Sequence, residues 1–221
     1  MSGVGSTEPP RSGGAGFAGI GARRRVVLVD YGAGNLRSIS AALGRAGADP
    51  VVTTDPRVVR DADLAIMAGV GNVESAARGL VHVADALRER AQLSRPTFGI
   101  CVGMQLLFEE SEEGGSGLGL LRGPVRRLRA CRVPHMGWNT LVLQRPSSLL
   151  DGVDGTDVYF AHSYAVEPAD DVAVAGVQHE DSRVVAAVES GSVAGVQFHP
   201  ERSAAPGARV LENALRWSRS A

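Results

Sequence analysis

Residues Gly99-Ile100-Cys101-Val102-Gly103 constrain this chain more than any other stretch. An apolar, strand-forming run (Thr97, Phe98) leads into them, and a helix-forming run reaching to about Phe108 leaves them. A strand that turns sharply into a helix brings residues 100 and 102 close to neighbouring backbone. Glycine at 99 and 103 removes the Cβ atoms that would otherwise clash. The single cysteine between them makes this the sulfur counterpart of a nucleophile elbow. A helix N-terminus beside the sulfur adds partial positive charge and favours thiolate over thiol. A free cysteine is otherwise a small buried hydrophobe, so the elbow needs a base before it signifies catalysis.

The flanking sequence supplies the fold that such an elbow needs. Residues 26–29 read as a buried strand, and Leu36, Ile39, Leu43 and Ala46 then share one helical face. Residues 51–52 and 64–67 read as further strands, residues 82–92 as a helix broken near Pro96, and residues 97–100 as the strand feeding the elbow. This β-α-β-α order calls for a parallel sheet covered on both faces. Beyond about residue 120 come short strand-like runs at 125–128, 140–143, 158–160, 184–188 and 193–197, with only 207–217 helical. The expected fold is α/β: an open, mostly parallel, doubly wound sheet extended by antiparallel strands. It occupies one domain, residues 25–221. Residues 1–24, rich in Gly, Ser and Pro, form an N-terminal extension too polar to order itself.

Composition excludes several kinds of function. A net charge of −1 offers nothing to nucleic acid or an anionic membrane. All 23 basic residues are arginine, which removes Schiff-base chemistry and the phosphate-loop lysine. No segment approaches the ~20 apolar residues of a membrane span. The apolar run after Arg23-Arg24-Arg25 stops at Asp30, short of the roughly 7–15 residues of an export signal. Cys101 and Cys131 make no disulfide framework, which fits a reducing cytoplasm.

Three segments after strands bear on chemistry. Asp30-Tyr31-Gly32-Ala33-Gly34-Asn35-Leu36-Arg37 lacks the third glycine of a dinucleotide loop, and reads as a tight turn with Asn35 as N-cap. Its place at the sheet edge lets it face a partner. Ala68-Gly69-Val70-Gly71-Asn72 lies at the carboxyl edge, where ligands bind in such sheets. Its glycines let backbone N–H groups turn toward an oxyanion together with that of Val102, although a plain connection into a helix fits the segment equally well. In Gly195-Val196-Gln197-Phe198-His199-Pro200-Glu201, proline pushes His199 to an extended conformation. Residues i and i+2 of an extended chain project to one side, so Glu201 joins His199. The imidazole then takes the Cys101 proton while Glu201 fixes its tautomer.

The other histidines are less telling. His82 and His179 read as surface positions, whereas His135 and His162 lie in the dense segments Pro134-His135-Met136-Gly137-Trp138-Asn139 and Ala161-His162-Ser163-Tyr164. No group stands at ligand spacing, so no metal is expected. Arg122, Arg126, Arg127, Arg129 and Arg132 read as a solvated strand or a sheet edge that discourages pairing.

With these residues in view, the sequence resembles the class I (triad) glutamine amidotransferases. More narrowly, it is similar to the glutaminase subunits of imidazole glycerol phosphate synthase. Gly-Ile-Cys-x-Gly and Phe-His-Pro-Glu mark the superfamily. The segments around Asp30, Cys101, His135 and His162 mark the subunit, and the likeness runs over residues 26–217. The resemblance implies that Cys101 attacks the side-chain amide of glutamine, with His199 as base and then acid and Glu201 as orienter. The thioester is hydrolysed to glutamate. Ammonia passes to a cyclase with a (β/α)₈ barrel, the partner in a heterodimer. There it meets N′-[(5-phosphoribulosyl)formimino]-AICAR ribonucleotide and gives imidazole glycerol phosphate and AICAR, a step of histidine biosynthesis. Gly69, Gln105, Glu113, Ser163 and Tyr164 would hold glutamine. Val70 or Gly71, with Val102, would bind the oxyanion. Asn35, Trp138, Tyr159 and Arg202 would face the cyclase, and no cofactor is implied.

Three departures stand out. Ala68 and Asn72-Val73 replace the family's usual residues around the oxyanion glycines, Ala68 standing where proline would restrain φ. Arg202 stands where lysine is common, keeping charge but not geometry. None touches the triad. A stand-alone γ-glutamyl hydrolase or cysteine peptidase with the same triad is the alternative. A non-catalytic binding partner fits poorly with intact Cys101, His199 and Glu201.

Overall fold

The structure, a computed structural model, describes residues 25–218, so the extension expected over residues 1–24 lies outside it. The parallel half contains β1 (Val26–Val29), α1 (Leu36–Arg45), β2 (Val51–Thr53), α2 (Pro56–Asp61), β3 (Leu64–Gly69), α3 (Val73–Leu80), α4 (Ala84–Gln92), β4 (Thr97–Cys101) and α5 (Val102–Gln105). The second half runs through β5 (Glu110–Ser111), β6 (Pro124–Arg127), β7 (His135–Thr140), β8 (Val142–Leu143), β9 (Asp157–His162) and β10 (Tyr164–Val166). It ends with β11 (Ala173–His179), β12 (Ser182–Ser190), β13 (Val193–Val196) and α6 (Ala204–Trp217).

The main sheet has eight strands in the order β2-β1-β3-β4-β13-β12-β11-β8. The run from β2 to β13 is parallel and the rest antiparallel, as the sequence leads one to expect. Every residue of β1, β3, β4 and β13 is buried, because helices cover both faces. The register sets Gly69 beside Cys101 and Ile100 beside Val196, so the carboxyl ends of β3, β4 and β13 finish at one edge.

Several local expectations are corrected. The elbow helix is a single turn that ends well before Phe108. The backbone N–H groups of Leu118, Leu120 and Gly119 take the carbonyls of Leu106, Leu107 and Phe108, and that pairing diverts the chain. So short a helix carries little dipole to stabilise a thiolate. One short helix escapes the sequence reading, α2, capped by Asp55 with Pro56 at its start; α3, capped by Asn72, is the helix that the connection through Gly69 and Gly71 leads into. Outside the main sheet, β7 and β9 form a two-stranded ribbon, and β6 is the middle strand of a three-stranded sheet. Arg126 and Arg127 on β6 therefore guard no edge, being paired with β10 on one side and close to β5 on the other.

Candidate active site

Cys101 adopts φ 53° and ψ −111°, a strained conformation for a residue with a Cβ and typical of a functional turn. The glycines around it are there for closeness. A Cβ on Gly103 would lie 1.9 Å from the Met67 carbonyl oxygen, and one on Gly99 would lie 2.5 Å from that of Gly103. A third glycine, Gly195 on β13, makes room for Met104: a Cβ there would meet its Cγ at 2.6 Å.

His199 follows β13, and its backbone is fixed from two sides. Its N–H donates to the Tyr159 carbonyl at 2.8 Å, and the Ser203 hydroxyl donates to its carbonyl at 2.6 Å. The residue is extended, but Pro200–Arg202 form a 3-10 turn rather than a continued strand. That turn still brings Glu201 Oε1 to 2.9 Å from His199 Nδ1. Burial opposes charge on the ring. Hydrogen bonds to Cys101 and Glu201, together with their negative charges, overcome it and push the pKa up to about 10. With Nδ1 on Glu201, Nε2 is left for the sulfur, and the ring can keep the proton that Cys101 gives up.

A cleft of about 250 Å³ opens on Cys101 and brings together Val70, Gly71, Val102, Gln105, Glu113, Ser163 and Tyr164. Gly69 stands apart from that lining. It closes β3 beside Cys101 and packs under the Tyr31 ring, where a Cβ would meet the hydroxyl at 2.5 Å. Glu113 accepts the Val73 N–H at 2.8 Å, tying the cleft wall to the start of α3. Asn72, one of the departures, accepts the Ser75 N–H at 2.7 Å and so caps the same helix. Gly34 leans on this loop from the other side: a Cβ there would lie 2.6 Å from the Ala68 oxygen.

Sequence reasoning missed a buried polar group beside the cleft. His135 Nδ1 lies 3.1 Å from His162 Nε2, and His162 Nδ1 lies 2.8 Å from the Tyr164 carbonyl. Burial first, then the charge of His179, lowers His135 to about 4. Burial dominates at His162 as well, lowering it to about 3. His179, expected at the surface, is half-buried, its ring tilted against that of His135 with centroids 4.2 Å apart. Pairing of β7 with β9 places His135 opposite His162, which no local pattern reveals. Gln197, fully buried with Nε2 3.6 Å from Cys101 Sγ, was also missed, because it sits in an apolar run.

The expected partner-facing residues fall into two places. Trp138, 54% exposed, pairs with Tyr159 across the β7–β9 ribbon, their rings 6.0 Å apart at 78°. The Arg202 guanidinium lies 4.2 Å over the Tyr159 ring, a stacking that a planar guanidinium suits better than an ammonium. Asn35 sits on the β1–α1 turn, where its Oδ1 accepts the Ser38 N–H at 3.1 Å. A larger groove, about 1180 Å³, runs along β1, β2 and α2, but no cysteine, histidine or serine lines it. Among the described residues no group of side chains is placed to hold a metal ion, and no helix is long and apolar enough to cross a membrane.

Comparison with known proteins agrees with this geometry. The family model "Glutamine amidotransferase class-I" matches residues 27–217. The imidazole glycerol phosphate synthase subunit HisH of Corynebacterium glutamicum is 42% identical over 208 residues, covering 88% of this chain and 99% of its own. That of Geobacillus kaustophilus is 45% identical over 197 residues, covering 84% and 93%. Among solved structures, one described as a glutamine amidotransferase superposes with a TM-score of 0.71 at 20% identity, covering 87% of this chain and 98% of that one. PurLQS from Thermotoga maritima gives 0.67 at 23% identity, covering 88% and 99%. A Cys-His-Glu site at the carboxyl edge of this sheet, in a chain so close to these relatives, leaves one assignment: the chain belongs to the class I glutamine amidotransferases, as a HisH-type glutaminase subunit of imidazole glycerol phosphate synthase.

Proposed function

We propose that Cys101, His199 and Glu201 hydrolyse the side-chain amide of L-glutamine in the cleft. The observation that carries this is a cysteine at positive φ beside a histidine that is itself held by Glu201. Cys101 Sγ attacks the amide carbon, and the oxygen that gains charge meets the N–H of Val102 and of Val70 or Gly71. The His199 imidazolium hands its proton to the leaving nitrogen, ammonia departs, and a thioester remains. Water then adds with His199 as base, the C–S bond breaks, and glutamate leaves. Gln105, Glu113, Ser163 and Tyr164 hold the glutamine, and Gly69 shapes the loop beneath it.

Ammonia then goes to a cyclase subunit, a (β/α)₈ barrel bound as a heterodimer through Trp138, Tyr159, Arg202 and Asn35, inside the cytoplasm. What supports this is the subunit name of the relatives and the exposed aromatic-cation cluster. The test is co-purification with the cyclase, followed by glutaminase assay with and without its nucleotide substrate. Activity that requires the cyclase is the expected result. Hydrolysis of γ-glutamyl peptides by the chain alone, indifferent to the cyclase, would overturn the reading.

A further inference from the structure

One backbone carbonyl fixes the polarity of two buried amides. The Tyr164 oxygen only accepts, and Gln105 Nε2 lies 2.9 Å from it, so that atom is the amino end of the Gln105 amide. The same nitrogen lies 3.0 Å from Gln197 Oε1, which makes that atom a carbonyl acceptor. Gln197 is therefore obliged to turn its N–H, rather than its oxygen, toward Cys101 Sγ. His162 reinforces the arrangement. Its Nδ1–H donates to the same Tyr164 oxygen, its Nε2 accepts from His135 Nδ1–H, and His135 Nε2 accepts from Asn139 Nδ2 at 3.2 Å. Every donor in the chain from Asn139 to the sulfur has one orientation.

We propose that Gln197 is a further catalytic residue: its amide N–H binds the Cys101 sulfur and holds the thiolate, while Gln105 transmits that orientation from the substrate pocket. The inference rests on Cys101 being the nucleophile. The charged and titratable groups facing the sulfur are few. His199 approaches from beyond β13 with Glu201 behind it, Glu113 lines the cleft but is held by the Val73 N–H, and Tyr31 stays neutral because burial and the Cys101 charge raise its pKa. The side-chain N–H donors on the sulfur are thus His199 and Gln197. A fold has no need of an amide here. A fully buried glutamine costs desolvation that a leucine or methionine would avoid, and its two hydrogen bonds run from the substrate pocket to the reacting atom.

The test uses the full chain carrying Cys131→Ser, since Cys131 is exposed and would also react. Alkylation of Cys101 by iodoacetamide is timed at neutral pH, and glutaminase is assayed with the cyclase present. Gln197→Met, which keeps volume and removes the donor, should slow alkylation about tenfold and lower kcat more than it raises KM. Gln197→Glu keeps the shape but presents an acceptor, and should slow alkylation at least as much. Gln105→Leu frees Gln197 Oε1 from its donor, and should slow alkylation as well as raise KM. Urea unfolding separates these effects from loss of fold. Alkylation at the unsubstituted rate in either folded Gln197 variant would overturn the proposal. If Cys101 in the otherwise unsubstituted chain reacts no faster than an ordinary exposed thiol, the nucleophile assignment itself fails, a distinct outcome.

Discussion

The two ends of β4 each carry a buried polar centre, and they are built on opposite terms. At the amino end, Arg90 reaches in from α4 and is fully buried. Its Nη1 donates to the carbonyls of Val59 and Ala62 at 2.8 Å and of Arg60 at 3.0 Å, its Nη2 to Pro96, and its Nε to the Thr97 hydroxyl at 3.3 Å. Burial, then the charge of Arg95, lowers its pKa to about 10, which still leaves it charged at neutral pH. At the carboxyl end, four residues on, sit Cys101, His199 and Glu201. Among the described residues, two buried side-chain oxygens lack a hydrogen-bond partner, Tyr31 Oη and Glu201 Oε2, and both belong to this end. A buried charge whose every nitrogen is engaged holds the fold together. One left partly unengaged has capacity to spare for chemistry.

The largest effect should separate the two centres outright. Cys101→Ala should lower glutamine-dependent synthesis by about four orders of magnitude or more, yet leave synthesis from ammonium salts intact. The variant should still fold, since alanine is no larger and the turn is kept, and its urea midpoint should fall only by what the Cys101 contact contributes through His199. Loss of the ammonium-driven reaction as well would mean that the cysteine serves the fold, as Arg90 does.

The reciprocal substitution comes next. Arg90→Met fills similar space but withdraws a donor from four carbonyl oxygens, of which those of Val59, Arg60 and Pro96 keep a second one, and should cost about 2 kcal/mol of stability by urea unfolding. The kcat of the protein that remains folded should be unchanged. A fall in kcat without a fall in stability would collapse the distinction between the ends.

The catalytic end was far more legible in the sequence than the structural one. Gly-Ile-Cys-Val-Gly and His-Pro-Glu carry their chemistry in neighbouring residues, so spacing alone brings out the elbow and the His199–Glu201 pair. The extended-chain argument for that pair reached the right contact through the wrong backbone, because proline starts a 3-10 turn. Arg90 has no such signature. On an amphipathic helix an arginine reads as solvated, and its acceptors are carbonyls from residues 59–62 and 96, which any sequence supplies. His135 with His162, and Gln197 with Gln105, likewise meet only through pairing between distant strands. The alternation of strands and helices fixed the parallel half for the same local reason. The small sheets around β6 and β7 depend on long-range pairing that periodicity does not encode.

A third test uses pH, where the buried histidines oppose one another. His135 and His162 titrate near 6.5 when unfolded but at about 4 and about 3 when folded. Below pH ~6.5 the unfolded chain therefore binds protons that the folded one refuses, and stability falls as pH falls through that window. His199 works the other way. Its folded value of about 10 makes its contribution complete below pH ~6.5 and lost as pH rises toward 10. Stability should thus peak near pH 6.5, each histidine contributing a slope of at most about 1.4 kcal/mol per pH unit. Cys101→Ala should flatten the alkaline limb only, and His162→Gln the acid limb only. A shared flattening would mean that the two groups titrate as one.

The smallest effect probes an unengaged oxygen directly. The Tyr31 hydroxyl is buried against Gly69, its proton held firmly by burial and by the charge of Cys101, with no hydrogen-bond partner among the described residues. Such a group weakens a fold by forgoing its hydrogen bonds with water. Tyr31→Phe keeps the ring that packs on Gly69 and deletes only the oxygen. The variant should therefore be more stable, by about 1 kcal/mol in urea unfolding, the opposite sign to Arg90→Met. A destabilised Tyr31→Phe would show that the hydroxyl is engaged in the folded protein, and the contrast between the two ends of β4 would then rest on Glu201 alone.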